Sequence, residues 1–365
     1  MKTLIKPLIF LVFALTVVSC SKSESGIEPE AEQKRPRVDY EIIPGDDPFT
    51  FKFNNKSANY KELEWRFGDD SLSNEVSPEH VFRRAGVYQV NLKATAEDGS
   101  TARKLLEIEI KPESIGTFKA KSVGGGKVKF VYTTTADIES ASWDFGDQTS
   151  SDEDSPEKTY DPSKLFTAKL FLTTAKGSVA EISRLVSSNG TLLDVTNKYL
   201  LNPGPKFATS ARFGARWGIV ADWRVNDAVK QREGGMGGWD EWDGNSMSME
   251  SWGGELDIIN GKIQQTSQEP LPAGQYYYQL DFVGKQWKNL FYTVIAQGPE
   301  IPDVDKVLGN PVVLGYTGDL NPPNNFTTPF FNPATQPVTF GFVATFIDND
   351  QYFRLRWIKL YKLDD

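Results

Sequence analysis

The sequence predicts an all-β chain: two small β-sandwiches in tandem, then a larger antiparallel β-sandwich of jelly-roll type. Three observations carry this. A tryptophan-containing block recurs at a constant offset of 78 residues. Short runs alternate apolar and polar residues with period two. No stretch keeps helical spacing beyond a turn or two, around Asp222 to Gln231.

Residues 1–20 read MKTLIKPLIFLVFALTVVSC. Lys2 and Lys6 give a positive start, and Leu8 to Val18 is almost unbroken apolar sequence. That is a secretory signal, too short for a stable bilayer span. Its ending, Val17-Val18-Ser19-Cys20, resembles a bacterial lipobox, which implies that Cys20 becomes the lipidated first residue. One acyl chain would hold a protein only marginally, whereas several make attachment effectively permanent. Residues 21–37 are charged and almost free of apolar side chains, so they are expected to be a flexible tether. Such a chain reaches roughly 20–25 Å root-mean-square. Glu24, Glu28, Glu30 and Glu32 loosely resemble the acidic surface-export signal of Bacteroidetes-type lipoproteins.

The repeat fills the next 150 residues or so. Trp65-Arg66-Phe67-Gly68-Asp69-Asp70 recurs as Trp143-Asp144-Phe145-Gly146-Asp147-Gln148. The same offset maps Ser77-Pro78-Glu79 onto Ser155-Pro156-Glu157, Phe82 onto Tyr160, Leu92 onto Leu170 and Gly99-Ser100 onto Gly177-Ser178. Tyr88, Val90 and Leu92 share one strand face, and Lys169 to Leu172 repeats the pattern. Asp98-Gly99 and Lys176-Gly177 suit hairpin turns. The domains are drawn at 38–111 and 112–188. Trp-x-Phe-Gly-Asp, then Ser-Pro-x-x-x-(Phe/Tyr), then an alternating strand, resembles the PKD domain, an immunoglobulin-like sandwich. The resemblance implies core roles for the Trp and Phe, a turn at Gly-Asp, and a spacer or contact module. His80 falls in the family's Pro-x-His-x-aromatic position. Lys158 stands there in the second copy and Lys164 replaces Gly86, so the second match is weaker. Because the repeat tolerates lysine, His80 is read as structural.

Residues 189–197 read as a linker containing Gly and Asn. The domain at 198–365 shows clear strands. Tyr276, Tyr278, Leu280 and Phe282 face one way, as do Val338, Phe340, Phe342, Ala344 and Phe346. The last strand switches parity between Trp357 and Ile358, which predicts a bulge or a strand buried on both faces.

Composition narrows the chemistry. With Cys20 lipidated, no cysteine remains for disulfides, metal or nucleophilic catalysis. His80 is the only histidine, which argues against an ordinary zinc site and a Ser-His-Asp triad. Losing Lys2 and Lys6 takes the net charge from -9 to -11. That balance argues against nucleic acid and against anionic lipid surfaces other than through the anchor.

Seven of the nine tryptophans lie beyond residue 197, and three crowd into residues 234–254 with seven glycines. This segment is expected to be a loop. Exposed rings stack on the C–H face of a pyranose, and neighbouring carboxylates and amides bind its hydroxyls. The candidate ligand residues are Trp239, Trp242, Asp240, Asp243 and Asn245. The alternative is that the tryptophans fold back and plug the sandwich edge. Asp240, Asp243, Asn245 and Glu250 also offer oxygen ligands at loop spacing. Calcium is therefore a second use of the segment, although the spacing is not that of an EF-hand. A carboxylate pair for glycoside hydrolysis is a third. Leu320 to Pro337, with five prolines, reads as a pre-ordered loop whose Asn321, Asn324, Asn325 and Phe326 line a site, or as a rigid cover over a sheet edge.

Four phrases carry a further resemblance: Ala221-Asp222-Trp223-Arg224-Val225-Asn226-Asp227-Ala228, Asn260-Gly261-Lys262-Ile263-Gln264-Gln265-Thr266, Leu271-Pro272-Ala273-Gly274-Gln275-Tyr276, and Phe353 to Leu360. Together they resemble the DUF5013 domain of Bacteroidetes lipoproteins encoded with polysaccharide-utilisation systems. That domain is similar in pattern to galactose-binding-like sandwiches, and it brings no catalytic motif. The expectation is an outer-membrane, lipid-anchored, surface-exposed protein without catalysis or cofactor. It would bind polysaccharide or oligosaccharide beside an outer-membrane transporter. The alternatives are a protein-interaction scaffold and a glycoside hydrolase.

Overall fold

The computed structural model describes residues 35–162, 164–230, 237–253, 256–318 and 322–364. The expected leader with Cys20, the tether through residue 34, Gly234 to Met236, Gly254, Leu320 and Asn321 lie outside them. The described paired strands of the final domain all run antiparallel, and one isolated bridge, between Arg84 and Val179, is parallel. No described helix is long and apolar enough to cross a membrane. The chain forms two compact units. Among the described residues, one contains those up to Pro44, Phe51–His80 and Val87–Glu109; the other contains Gly45–Thr50, Val81–Gly86 and those from Ile110 onward.

In the first unit, Glu62–Arg66 pairs with Leu72–Ser73 on one side and Gly86–Thr95 on the other, and Thr101–Ile110 completes the sheet. Trp65 is fully buried, 5.0 Å from Tyr40 and 5.6 Å from Phe53. The second repeat rebuilds this plan. Ile138–Asp144 lies between Ser150–Ser151 and Phe166–Thr174, followed by Val179–Ser187. Trp143 is buried 5.2 Å from Phe118 and 5.3 Å from Phe130. The indole N–H groups donate to backbone carbonyls 78 residues apart, Glu75 at 3.0 Å and Glu153 at 2.9 Å.

The Gly-Asp turn explains its own conservation between copies. Gly68 has φ +87° and Gly146 +76°; a Cβ would lie 2.8 Å from the Gln89 nitrogen and 2.4 Å from the Thr167 oxygen. Only glycine meets both demands. The aspartate after it is held by a side-chain nitrogen. His80 Nε2 lies 2.8 Å from Asp69 and its ring stacks on Phe67 at 4.0 Å. Lys158 Nζ lies 2.6 Å from Asp147 and 5.6 Å over the Phe145 ring. Lysine therefore substitutes for histidine in the same structural task.

Burial alone would raise the Asp147 carboxyl. Hydrogen bonds from Lys158 and Thr149 and the Lys158 charge outweigh it and hold the group below its usual range. A depressed carboxylate contributes stability above its unfolded-state pKa, near ~3.9, which is lost as pH falls through the folded value. Asp147→Asn should lower the melting temperature at neutral pH. The gap to wild type should begin to close near pH ~4. Melts over falling pH check this; a gap that stays constant through the acid range contradicts it.

The final domain is a sandwich. One sheet runs Thr209–Phe213, Trp217–Val220, Gly238–Asp240, Ser246–Ser251, Gln351–Leu363, Gly274–Gln286 and Asn325–Asn332. The other runs Arg224–Val225, Ile258–Thr266, Val338–Phe346, Phe291–Gln297 and Val313–Thr317. Tyr276, Tyr278, Leu280, Phe340, Phe342 and Phe353 fill the space between them. The parity switch in the last strand is a bulge. Asp281 pairs with Trp357 and Phe282 with Leu355, so Arg356 is left over.

The expected linker at 189–197 is not a linker. Gly190–Asp194 is a strand, followed by a helical turn at Thr196–Tyr199. The strand pairs with Val179–Ser187 of the second repeat and, at Leu192 to Asp194, with the last strand of the final domain. Leu192 is buried, and Thr191 Oγ1 accepts the Ala120 amide at 2.5 Å. Tyr277, on the face away from the sandwich core, bonds Ser187 at 3.0 Å and Asn189 at 2.8 Å. The sheet is thus continuous from the second repeat into the final domain.

Candidate functional site

The expected tryptophan loop is a hairpin. Gly238–Asp240 pairs with Ser246–Ser251, which pairs with the last strand. Met247 and Met249 enter the core, while Ser246, Ser248 and Glu250 point the other way. The alternation is real but is masked by the surrounding glycines and by small polar outward residues that are themselves buried. Asp240 Oδ1 accepts the Trp242 amide at 3.0 Å, an Asx turn. Asp243, Gly244 and Asn245 then take φ of 57°, 82° and 70°. Asp, Gly and Asn are the residues that tolerate this left-handed run, and it lifts Trp242 off the sheet.

The expected ligand residues part company here. Trp239 is 2% exposed; it sits in the core and its indole N–H donates to Phe207 O at 2.7 Å. It is a plug, so its ligand role is withdrawn. Asp240 is 0% exposed and is not open to a sugar. Asn245 serves the fold through its carbonyl, which accepts the Phe207 amide at 2.8 Å. Phe326 is half-buried and stacks on Phe282 at 5.7 Å. It belongs to the strand Asn325–Asn332, not to a loop, and three strands separate it from Gly238–Asp240. From Asn325 to Asn332 the Asn/Pro segment is thus sheet, paired residue for residue with Gly274 to Asp281. Trp242 is 54% exposed, and Asp243 lies beside it, partly open.

Two arginines absent from the sequence reading organise this surface. Arg216 clamps Asp240 through Nε at 2.9 Å and Nη2 at 2.7 Å, and reaches Glu250 at 3.0 Å. Arg354 bonds Asp240 at 3.1 Å and Glu250 at 3.3 Å, and faces Asp243 at 3.5 Å. Burial alone would lower the Arg354 pKa; the charges of Glu250 and Asp240 outweigh it and hold it above the ordinary value. The Arg216 guanidinium is sandwiched 3.7 Å from the Trp217 ring and 3.5 Å from Trp242. Arg354 lies 4.8 Å from Tyr352, whose ring meets Trp252, 41% exposed, at 5.6 Å. Buried carboxylates facing nearby arginines would have been the signal, but nothing in local spacing reveals it.

With both guanidiniums on them, Asp240 and Glu250 are not free to act as an acid/base pair. Among the described residues, no group of three or more His, Cys, Asp or Glu side chains is placed to hold a metal ion. What the surface offers is rings held in place, with their outer faces toward solvent.

Residues 30–110 match the family model of the PKD domain, and residues 201–341 match that of DUF5013, a domain of unknown function. The PKD1 domain of Vibrio anguillarum Epp is similar at 24% identity over 21% of this chain and 95% of its own, with a TM-score of 0.20. The K3 adhesin domain of Lys-gingipain from Porphyromonas gingivalis is 12% identical over 40% of this chain and 98% of its own, with a TM-score of 0.26. The Bacteroides ovatus mixed-linkage glucan utilization locus SGBP-B, in complex with a mixed-linkage heptasaccharide, is 10% identical over 90% of this chain and all of its own, at 0.22. Scores this low carry no argument about what this chain binds.

Proposed function

We propose that this chain is a lipid-anchored cell-surface protein that binds extracellular glycan, without catalysis, for an outer-membrane import system. The observation that carries it is Trp242: more than half exposed, yet fixed by a guanidinium beneath its ring and a carboxylate at its amide. A fixed ring loses little entropy on stacking with a sugar. Trp252, Tyr352 and Asp243 surround it with a second ring and polar partners. Immobilised polysaccharides should retain the full chain, and Trp242→Ala should weaken retention about tenfold with an unchanged melting temperature. Retention unaffected by that substitution removes Trp242 from the reading. An isolated 198–365 fragment is a poor substitute, because it lacks the strand Gly190–Asp194.

The anchor rests on the leader sequence. Cys20→Ala should move the protein into the soluble fraction or leave its leader uncleaved. Unchanged partition into membranes contradicts the lipidation reading.

A further inference from the structure

Six side chains on the outer face of the final domain form one row. Trp217 lies against Arg216, and Arg216 against Trp242. Arg354 lies 5.2 Å from Trp242 and 4.8 Å from Tyr352, which meets Trp252. The two well-exposed rings, Trp242 and Trp252, therefore have Arg354 and Tyr352 between them. A sugar ring is no larger than an indole, so a single sugar, or the tip of a chain, covers only one of them.

Charge narrows the class further. Arg216 and Arg354 already face Asp240, Glu250 and Asp243, and Arg212 faces Glu241 at 2.7 Å. Four carboxylates meet three guanidiniums, so no arginine of the row is left to pair with a sugar carboxylate or sulfate. A further anion would meet a surplus of negative charge.

We infer that the row takes an internal stretch of an extended, neutral polysaccharide, laid along both exposed rings, rather than a chain end or an acidic glycan. This rests on the glycan-binding reading above, and the test separates the two. Immobilised neutral glucans, xylans and mannans, with polygalacturonate beside them, first identify what retains the full detergent-solubilised chain. Oligomers of the retained glycan, from two to eight sugars, then compete for binding. Affinity should rise with length and level off once both rings are covered. Trp252→Ala should change disaccharide competition less than about twofold and weaken the octasaccharide about tenfold, with Trp252→Phe retaining most of the binding. Length-independent affinity, equal losses on short and long oligomers, or tighter retention on polygalacturonate would overturn the inference while leaving glycan binding in place. No retention on any of these polysaccharides would overturn the glycan-binding reading itself.

Discussion

Trp143→Ala is expected to cost about 3–5 kcal/mol of unfolding free energy. The indole is almost fully buried, packs edge-on against Phe118 and beside Phe130, and donates its N–H to Glu153 O at 2.9 Å. Truncation removes apolar contacts, opens a cavity and strands a carbonyl, and the neighbouring strands are too constrained to collapse into the gap. Trp65→Ala should cost a similar amount for the same reasons. The two should differ in what unfolds. Trp143 shares a compact unit, and a continuous sheet through Gly190–Asp194, with the final domain. Its loss should therefore lower the transition reported by the final domain's own tryptophans. Trp65 belongs to the other unit, so its loss should shift a separate transition. Denaturant unfolding followed by tryptophan fluorescence and far-UV dichroism distinguishes them. Identical effects of the two substitutions on a single transition would contradict the two-unit account.

The repeats were legible in the sequence because a constant offset fixes many positions at once. Gly68 with Gly146, and Gln89 with Thr167, even reproduce the same close approach. The strands of the final domain were legible where one face is apolar and the other polar, as in Gly274–Gln286. The bulge near Arg356 showed itself as a break in that parity. The strand Gly190–Asp194 was not legible. It is five residues long, begins at a glycine, and gains its stability from neighbours on both sides rather than from its own pattern. Trp239 was misplaced for a related reason. Glycines flank it, and the outward residues of its hairpin are buried under side chains from elsewhere. The site itself was half legible. Trp242 and Asp243 stand where a ligand could reach them, but the groups that hold them come from far along the chain. Arg216 is 24 residues from Asp240, and Arg354 is 114.

That distant pairing sets the second large effect. Arg354→Met is expected to destabilise the final domain by about 3–5 kcal/mol, the usual result of removing one partner from a buried ion pair. Asp240 has no exposed surface and Glu250 almost none, so neither carboxylate can turn to water when a guanidinium leaves. Arg216 alone would then face both charges. The cost lies chiefly in the stranded carboxylates and not in the lost contact, since a methionine fills much the same space. Removing the charge should therefore repair part of the damage. Asp240→Asn in the Arg354→Met background is expected to be less destabilised than the sum of the single changes. Residues in one network couple by roughly 0.5–3 kcal/mol, and a double-mutant cycle from urea unfolding reads this directly. The same cycle followed by glycan retention tests the platform. If Arg354 and Asp240 position the Trp242 ring, the single variants should weaken binding under conditions where the domain remains folded. Strictly additive stabilities, or full retention in every folded variant, would reduce the cluster to a surface ornament unconnected to the ring it supports.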